Sequence, residues 1–388
     1  MAVLSKQDFL QVQSYNCKII HPWHQNCLIG NLITSKSTLQ GSSIFFGALY
    51  LLHYTPQLKQ LTKKDVIPIT KKFAISVTTA FAYMILFTSG NCFFRKHFGQ
   101  FSYYVVAYLL PIVCGTAIFL ENPLRKKLIT SSFASMFVEA IFRRIYISKI
   151  ISRNIYFETT LFMLCNALLM YEVKNQKSLM KGGQKEMWFY LPIDENASQQ
   201  KHTCKHNSCF LHGIKESLKY CSFGLALTIF KVIWYNIKFI YAPEELLRKI
   251  FMLKNLKLCS FVVTYIGIYR ATTCYLCRKT GKDCELFGLT GGFLAGISYC
   301  ILPNFTLLSS LVAVLLKIMG RQLKYKYNLP NLPYQELTFI ITNAFLLNTR
   351  LFHGEACPTF FTNIINICTG GRANIIYNFI EETKLQTK

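Results

Sequence analysis

Two cysteines and two histidines near the N-terminus are the residues of this chain best suited to hold a metal ion. Cys17, His21, His24 and Cys27 lie within eleven residues, and thiolates and imidazoles are the donors that zinc prefers in a tetrahedral site. Their spacing differs from that of a standard zinc finger. The alternative is an interfacial turn, anchored by Trp23, in which the four side chains bind no metal.

A second Cys/His group follows the polar middle of the chain. Cys204 and Cys209 lie there among three histidines. If the chain is duplicated, these cysteines would meet Cys17 and Cys27 at a pseudo-symmetry axis. The four sulfurs would then form one shared metal site or two disulfides. We predict no cofactor for this chain. If the hypothesis of a metal site holds, the exception would be a structural zinc.

Four ionisable residues interrupt apolar segments. Glu139 and Arg143 are four residues apart, in the order that favours an intrahelical ion pair. Glu158 and Arg270 have no oppositely charged residue at a comparable spacing in the sequence. A charged group at membrane depth costs about 3 kcal/mol and is retained mostly where it faces a partner or water. The two residues either line a polar pathway or extend to the interface from helix ends.

Three glycines recur at four-residue spacing in the second half of the chain. They are Gly288, Gly292 and Gly296. The Gly-x-x-x-Gly pattern lets two helix backbones approach closely, and this is a common way to hold a membrane bundle together. We predict a packing role for these glycines.

The sequence contains no catalytic signature. It lacks a phosphate-binding glycine loop, a Gly-x-Ser-x-Gly elbow and a His-Glu-x-x-His motif. Cys274 and Cys277 form a Cys-x-x-Cys, but Cys274 ends an apolar segment with no strand pattern around it, so we expect helix-end packing. We predict that the protein is not an enzyme.

The composition is typical of a membrane protein. Hydrophobic residues make up 52% of the chain and charged residues only 16%, against about a quarter charged in soluble domains. The net charge is +25, and the basic residues lie between apolar blocks, as expected for contact with anionic membrane lipids. A nucleic-acid partner is not expected, because no polar domain gathers the basic and aromatic residues.

Apolar segments of near-spanning length recur along the chain, and part of the pattern occurs twice. The run Cys92-Phe93-Phe94-Arg95-Lys96 and the later run Cys274-Tyr275-Leu276 each precede apolar segments separated by a polar break. We predict an all-α, multi-pass transmembrane helical bundle of about eight to ten membrane-embedded helices. It would consist of two homologous halves, 1–173 and 204–388, joined by a polar linker at 174–203. The polar N-terminus lacks a secretory signal.

Three groups of residues carry a resemblance to a known family. They are the N-terminal run with His21-Pro22-Trp23-His24, the mid-chain Cys204, Cys209 and Gly213, and the run Ile268-Tyr269-Arg270-Ala271-Thr272-Thr273 that leads to Gly292-Phe293-Leu294-Ala295-Gly296. The chain resembles the transmembrane protein 135 family, also called peroxisomal membrane protein 52, over about residues 14 to 355.

The resemblance implies a multi-pass protein of the peroxisomal or mitochondrial membrane. It implies a non-enzymatic scaffold that regulates peroxisome organisation, the balance of mitochondrial fission and fusion, and lipid metabolism, with fission or peroxisome biogenesis machinery as partners. The alternative is a transporter or channel for a metabolite, lipid or ion. Its polar path between the halves would be lined by Arg270, Glu139 and Glu158. The sequence does not fix the oligomeric state.

Overall fold

The protein is helical wherever its structure is described. The computed structural model describes residue 17 and residues 20–54, 63–175, 252–281, 284–328 and 330–386, with isolated positions between 208 and 229. This described part is 85% helical and contains no strand. The predicted all-α class is therefore confirmed.

The chain divides into two compact units. Unit one consists of Met1–Ile151 and Tyr327–Lys388. Its first broken helix is a π turn, Val105–Leu109, followed by α3, Leu110–Gly115, and a 3-10 turn, Thr116–Leu120. The other helices are α1 Cys27–Tyr54, α2 Lys63–Phe98, α4 Pro123–Ile147, α9 Tyr334–Phe352, α10 Thr359–Cys368 and α11 Arg372–Gln386.

Unit two is the continuous stretch Ser152–Lys326. Its second broken helix consists of α7, Leu286–Ala295, and a 3-10 turn, Gly296–Cys300. The other described helices are α5 Ile155–Asn175, α6 Leu253–Thr280 and α8 Phe305–Lys326.

The compact units do not coincide with the halves predicted from the sequence. Helix α5 belongs to the predicted first half but packs with α7 and α8 in unit two. Helix α9 belongs to the predicted second half but packs with α3 and α4 in unit one. The common ancestry of the two sequence halves stays a prediction.

Aromatic and aliphatic side chains fill the core of each unit. In unit two, Phe162 and Tyr299 are fully buried and stack with their ring centroids 4.8 Å apart. In unit one, the rings of Phe133 on α4 and Phe339 on α9 lie with their centroids 4.7 Å apart, and the neighbouring Leu346 is fully buried. Burying such a side chain stabilises a fold by about 1.5–3 kcal/mol.

Two described helices are long and apolar enough to cross a membrane. The qualifying segments are Asp65–Phe98 of α2 and Phe305–Lys324 of α8. Three shorter apolar helices are Val105–Leu120, Leu286–Cys300 and Thr359–Cys368. The predicted eight to ten membrane-embedded helices therefore stay a prediction.

The three predicted packing glycines all face α5. A Cβ atom added at Gly292 would lie 2.8 Å from the carbonyl oxygen of Asn166. At such distances no side chain fits, so the backbones of α5 and the second broken helix are in direct contact. The three close approaches are Gly288 to Met170, Gly292 to Asn166 and Gly296 to Met163.

We predict that Gly292→Ala destabilises unit two. The added methyl group must push α5 away, and overpacking of this kind costs about 1–3 kcal/mol. The matched control is Gly320→Ala on α8, where nothing lies within 4 Å of the new atom. There the better helix propensity of alanine should raise stability by about 0.5–1 kcal/mol. Thermal unfolding in detergent measures both, and equal midpoints for the two variants would contradict the described packing.

Candidate metal centre

Four side chains of unit one converge on one point. They are Cys17, His21, Cys27 and Cys92, and their ligand atoms all lie within 4.8 Å of one another. His21 and Cys92 are buried, and the other two are partly buried. Three sulfurs and one imidazole nitrogen form a Cys₃His donor set.

A tight turn brings the first two ligands to the start of α1. The carbonyl oxygen of Cys17 accepts hydrogen bonds from the N–H groups of Ile20 at 2.8 Å and His21 at 3.2 Å. Cys27 is the first residue of α1. The preceding Asn26 caps that helix, since its Oδ1 accepts from the N–H of Leu28 at 2.8 Å. The turn and the cap together fix the spacing of three ligands.

The hydrogen bond of His21 determines which of its ring nitrogens is available. Its Nδ1 lies 2.7 Å from the carbonyl oxygen of His24. A carbonyl oxygen can only accept, so Nδ1 carries the hydrogen and the neutral ring has its lone pair on Nε2. This Nε2 atom is buried and has no hydrogen-bond partner. A histidine held by one nitrogen with the other left bare is the usual arrangement of a metal ligand.

Neighbouring residues hold the imidazole in place. A Cβ at Gly30 would lie 2.7 Å from Cγ of His21, so only glycine fits beneath the ring. Trp23 donates its indole N–H to the carbonyl oxygen of Gly30 at 3.0 Å. The guanidinium of Arg372 lies 4.6 Å from the centre of the Trp23 ring. Helix α11 thereby supports the turn that carries His21.

The surroundings disfavour a free thiolate at Cys17. Burial raises the pKa of the Cys17 thiol, and the adjacent Cys27 raises it further, while the positive charge of Arg95 acts in the opposite direction. Cys17 is therefore a thiol at neutral pH unless a cation displaces its proton. A bound divalent cation stabilises the thiolate form, so metal binding here releases protons.

Cys92 is the member of the cluster that the sequence does not predict. It lies near the end of α2, far along the chain from Cys27. In the sequence, its run with Phe93 and Phe94 indicates only one copy of a repeated pattern. The sequence shows only a cysteine near the end of an apolar segment, followed by Arg95 and Lys96. This pattern does not indicate that Cys92 lies close to the N-terminal cysteines.

His24 is not among the clustered ligands, although the sequence predicted it as one. Its Nδ1 already accepts the N–H of Asn26 at 3.0 Å, and its carbonyl oxygen positions His21. The other two predicted ligands, Cys204 and Cys209, lie outside the described residues. The hypothesis that they share a site with Cys17 and Cys27 stays a prediction.

The predicted charge pair in unit one forms within α4. Glu139 is 2% exposed. Its Oε1 accepts from Nε of Arg143 at 2.9 Å and from Nη2 of the same residue at 2.7 Å. Two charged donors on one oxygen offset much of the cost of burying the carboxylate.

Glu158 of unit two has partners that its sequence neighbourhood did not suggest. Its Oε1 accepts from Nε of Arg153 at 3.1 Å, and its Oε2 accepts from the hydroxyl of Tyr299 at 3.2 Å. Arg270 is also largely buried, on α6. Glu158 therefore serves as an internal hydrogen-bond acceptor of unit two.

No model of a known protein family matches the chain, and no solved structure matches it. The chemistry of the Cys/His cluster is therefore inferred from its geometry alone.

The Cys/His cluster has the composition of a structural metal site. Four protein donors complete a tetrahedral shell and leave no open position for a substrate, whereas catalytic zinc sites keep one. Sulfurs around a zinc ion lie about 3.8 Å apart, from a Zn–S bond of about 2.3 Å. The described atoms need to move inward by about 1 Å or less to reach that geometry.

We predict that His21→Ala and His24→Ala have different effects on metal content. His21→Ala removes one of four donors, and the apparent affinity should fall by more than the roughly 100-fold typical of an outer-shell change. His24→Ala keeps the backbone carbonyl that holds His21, so its metal content should stay near that of the wild type. Elemental analysis of purified protein measures both.

The matched cysteine controls are Cys92→Ser and Cys300→Ser. Only the first should lose metal, because Cys300 lies in unit two outside the cluster. Metal loss in His24→Ala with retention in Cys92→Ser would show that the ligands are those expected from the sequence rather than those of the cluster.

Proposed function

We propose that this chain is a multi-pass organelle membrane protein that acts as a scaffold without catalysis. The observation that carries the proposal is the exposure of apolar helices. Only 22% of the apolar segment of α2 and 33% of that of α8 is buried inside the protein. The core helix of a soluble protein would be mostly covered, so the low buried share of these apolar helices supports contact with an apolar solvent.

The length and ends of α2 suit a bilayer. Residues 73–94 contain no charged side chain and extend about 33 Å as a helix, against about 30 Å of hydrocarbon. Lys72 precedes this stretch and Arg95 follows it. Phe93 and Phe98, near the second end, are 66% and 55% exposed. Exposed aromatic and basic residues at a helix end are typical of the membrane–water interface.

The organelle and the biological role rest on the resemblance to the transmembrane protein 135 family. It suggests peroxisomal or mitochondrial membranes, with regulation of peroxisome organisation, mitochondrial fission and fusion balance and lipid metabolism. The net charge of +25 supports contact with anionic lipids. Two homologous halves with eight to ten membrane-embedded helices are part of this proposal.

The described contacts favour the scaffold over the transporter. A transport path requires polar groups that can exchange partners with a passing solute or ion. Glu139 is paired with Arg143, and Glu158 with Arg153 and Tyr299. These carboxylates therefore already serve to hold their own units together.

We also propose that the Cys₃His cluster holds one structural Zn²⁺. The ligands would be the thiolates of Cys17, Cys27 and Cys92 and the bare Nε2 of His21, and the ion would supply a crosslink between the N-terminal turn, α1 and α2. Protein purified without added metal should contain one zinc per chain, and cobalt in its place should give the spectrum of a tetrahedral thiolate site. A disulfide between any two of these cysteines, found by mass mapping, would exclude the zinc centre.

We predict that Leu86→Lys prevents stable membrane insertion. Leu86 lies near the middle of the uncharged stretch of α2 and is 41% exposed. On a lipid-facing surface the charge costs about 2.5–3.5 kcal/mol, whereas on a water-facing surface the change is nearly neutral. The control is Leu332→Lys, in the loop before α9, where leucine is 52% exposed. Carbonate extraction of tagged protein reports insertion.

The expected result is a carbonate-resistant wild type and Leu332→Lys variant, with Leu86→Lys released or degraded. Equal behaviour of both variants would show that α2 faces water. Colocalisation with peroxisomal and mitochondrial markers tests the organelle separately. Labelling of neither organelle would remove the family-derived role and leave the membrane assignment standing.

A further inference from the structure

A matching backbone contact is found in the described part of each unit. In unit one, a Cβ at Gly115 of the first broken helix would lie 3.2 Å from Cα of Ile340 on α9. In unit two, a Cβ at Gly296 of the second broken helix would lie 2.6 Å from Cα of Met163 on α5. In both cases the glycine marks the change from α-helix to a 3-10 turn. The two broken helices therefore cross their partners at equivalent points.

A buried asparagine follows the crossing point in unit one. Asn343 lies one turn beyond Ile340 on α9 and is 2% exposed. Its Nδ2 donates to the carbonyl oxygen of Pro111 at 3.2 Å, and its Oδ1 accepts from the hydroxyl of Tyr83 at 3.1 Å. The amide thus links α9 to the first broken helix and to α2.

Unit two contains the same three-part link. Asn166 lies one turn beyond Met163 on α5 and is fully buried. Its Nδ2 donates to the carbonyl oxygen of Gly292 at 2.6 Å, and its Oδ1 accepts from the hydroxyl of Tyr265 at 2.8 Å. Gly292 precedes Gly296 by the same four residues that separate Pro111 from Gly115.

The local sequences around the two asparagines agree. Each has phenylalanine four residues before, alanine directly after and leucine three residues after the asparagine. The phenylalanine and the leucine are buried in both helices. The two stretches are Phe162-Met163-Leu164-Cys165-Asn166-Ala167-Leu168-Leu169 and Phe339-Ile340-Ile341-Thr342-Asn343-Ala344-Phe345-Leu346.

The helices with these features follow one another in the same order twice along the chain. The first series is α2, the first broken helix, α4 and α5, and the second is α6, the second broken helix, α8 and α9. Each series contains a tyrosine helix, a broken helix, a helix preceded by asparagine and an asparagine helix. Asn122 and Asn304 directly precede the third helix of their series. The side-chain oxygen of each accepts a hydrogen bond from the main-chain N–H two residues further along the chain.

The last helix of each series packs with the other series. Helix α5 ends the first series but contacts the second broken helix and α8 in unit two. Helix α9 ends the second series but contacts the first broken helix and α4 in unit one. We propose that the two repeats exchange their last helices within one chain, so that each repeat completes the fold of the other.

The exchange makes the two repeats dependent on each other for folding. Among the described residues, the buried amide of Asn166 finds its tyrosine and carbonyl partners in the second repeat, and that of Asn343 finds them in the first. An asparagine side chain buried without such partners is costly, most of all in lipid. The inference rests on the duplication proposed above but is independent of the membrane and of the organelle.

Disulfide trapping in the full chain tests the exchange. The Oγ1 of Thr159 lies 3.5 Å from Sγ of the native Cys300, so Thr159→Cys places two sulfurs side by side. A protease site inserted in the polar segment 174–203 then separates residue 159 from residue 300 along the chain. After oxidation with copper phenanthroline and cleavage, the two fragments should migrate as one band that reduction splits.

The control places the second cysteine where an unexchanged repeat would need it. Position 119 in the first broken helix corresponds to position 300 in the second, because each lies four residues after the glycine at the crossing point, Gly115 or Gly296. In Thr159→Cys with Phe119→Cys and Cys300→Ser, the fragments should separate after cleavage and residues 119 and 159 should stay unlinked. A 119–159 disulfide would overturn the proposal, and a 159–300 disulfide that joins two chains would overturn the exchange within one chain.

Hydrogen exchange gives a second measurement that needs no new crosslink. Asn343→Ala should speed amide exchange in Val105–Leu120 by roughly tenfold or more, the expected effect of losing a buried hydrogen-bonded link. It should leave Leu286–Cys300 unchanged. Asn166→Ala should do the reverse. Faster amide hydrogen exchange in Val105–Leu120 on replacing Asn166 would contradict the proposed swap of last helices between the repeats, whatever the stability of either variant.

Discussion

A polar side chain buried between helices must find its hydrogen-bond partners among them, because no water is available to supply one. Asn343 in unit one and Asn166 in unit two meet this requirement in the same way, since each joins a tyrosine hydroxyl to a main-chain carbonyl. The amide reaches the carbonyl only because a glycine lets the two backbones approach closely. The glycine break, the tyrosine and the asparagine therefore form a single constraint, and the large apolar side chains of each core pack around it.

The Cys/His cluster, which is the proposed zinc site, belongs to unit one and is joined to this constraint through α2. Cys92 and Tyr83 lie on that helix, so an ion held by Cys92 would tie the N-terminal turn to the helix that also contacts Asn343. Structural zinc contributes about 10–16 kcal/mol to the folding of small peptides, a large amount beside the stability of a whole domain. Within the described residues, unit two has no comparable cluster, although Cys274 occupies the place of Cys92 in the repeated run. The cluster thus distinguishes unit one from the described part of unit two, although both contain the same asparagine link.

The sequence predicts the members of the Cys/His cluster that are close together in the chain, and it does not predict the one that is distant. Cys17, His21 and Cys27 lie within one turn and the start of a helix, whereas Cys92 reaches them only through the packing of α2. His24 has the right chemistry, but its ring is occupied by a capping interaction that composition cannot indicate. The helices and the packing glycines could be predicted from apolar length and spacing. Which helix covers which face could not, because periodicity shows that a face is apolar without showing its partner.

The distribution of polar and apolar residues also bears on how the proposed zinc site would be reached. Unit one buries Glu139 and Asn343 while it exposes Leu86 on α2, the opposite of what water favours. In the proposed membrane setting this is expected, since lipid solvates Leu86 and the interior satisfies the polar groups. The cluster lies at the end of α2 where Phe93 is exposed and basic residues begin. In the proposed membrane setting that end would lie at the interface, where an ion could arrive from water while its ligands remain largely enclosed by the protein.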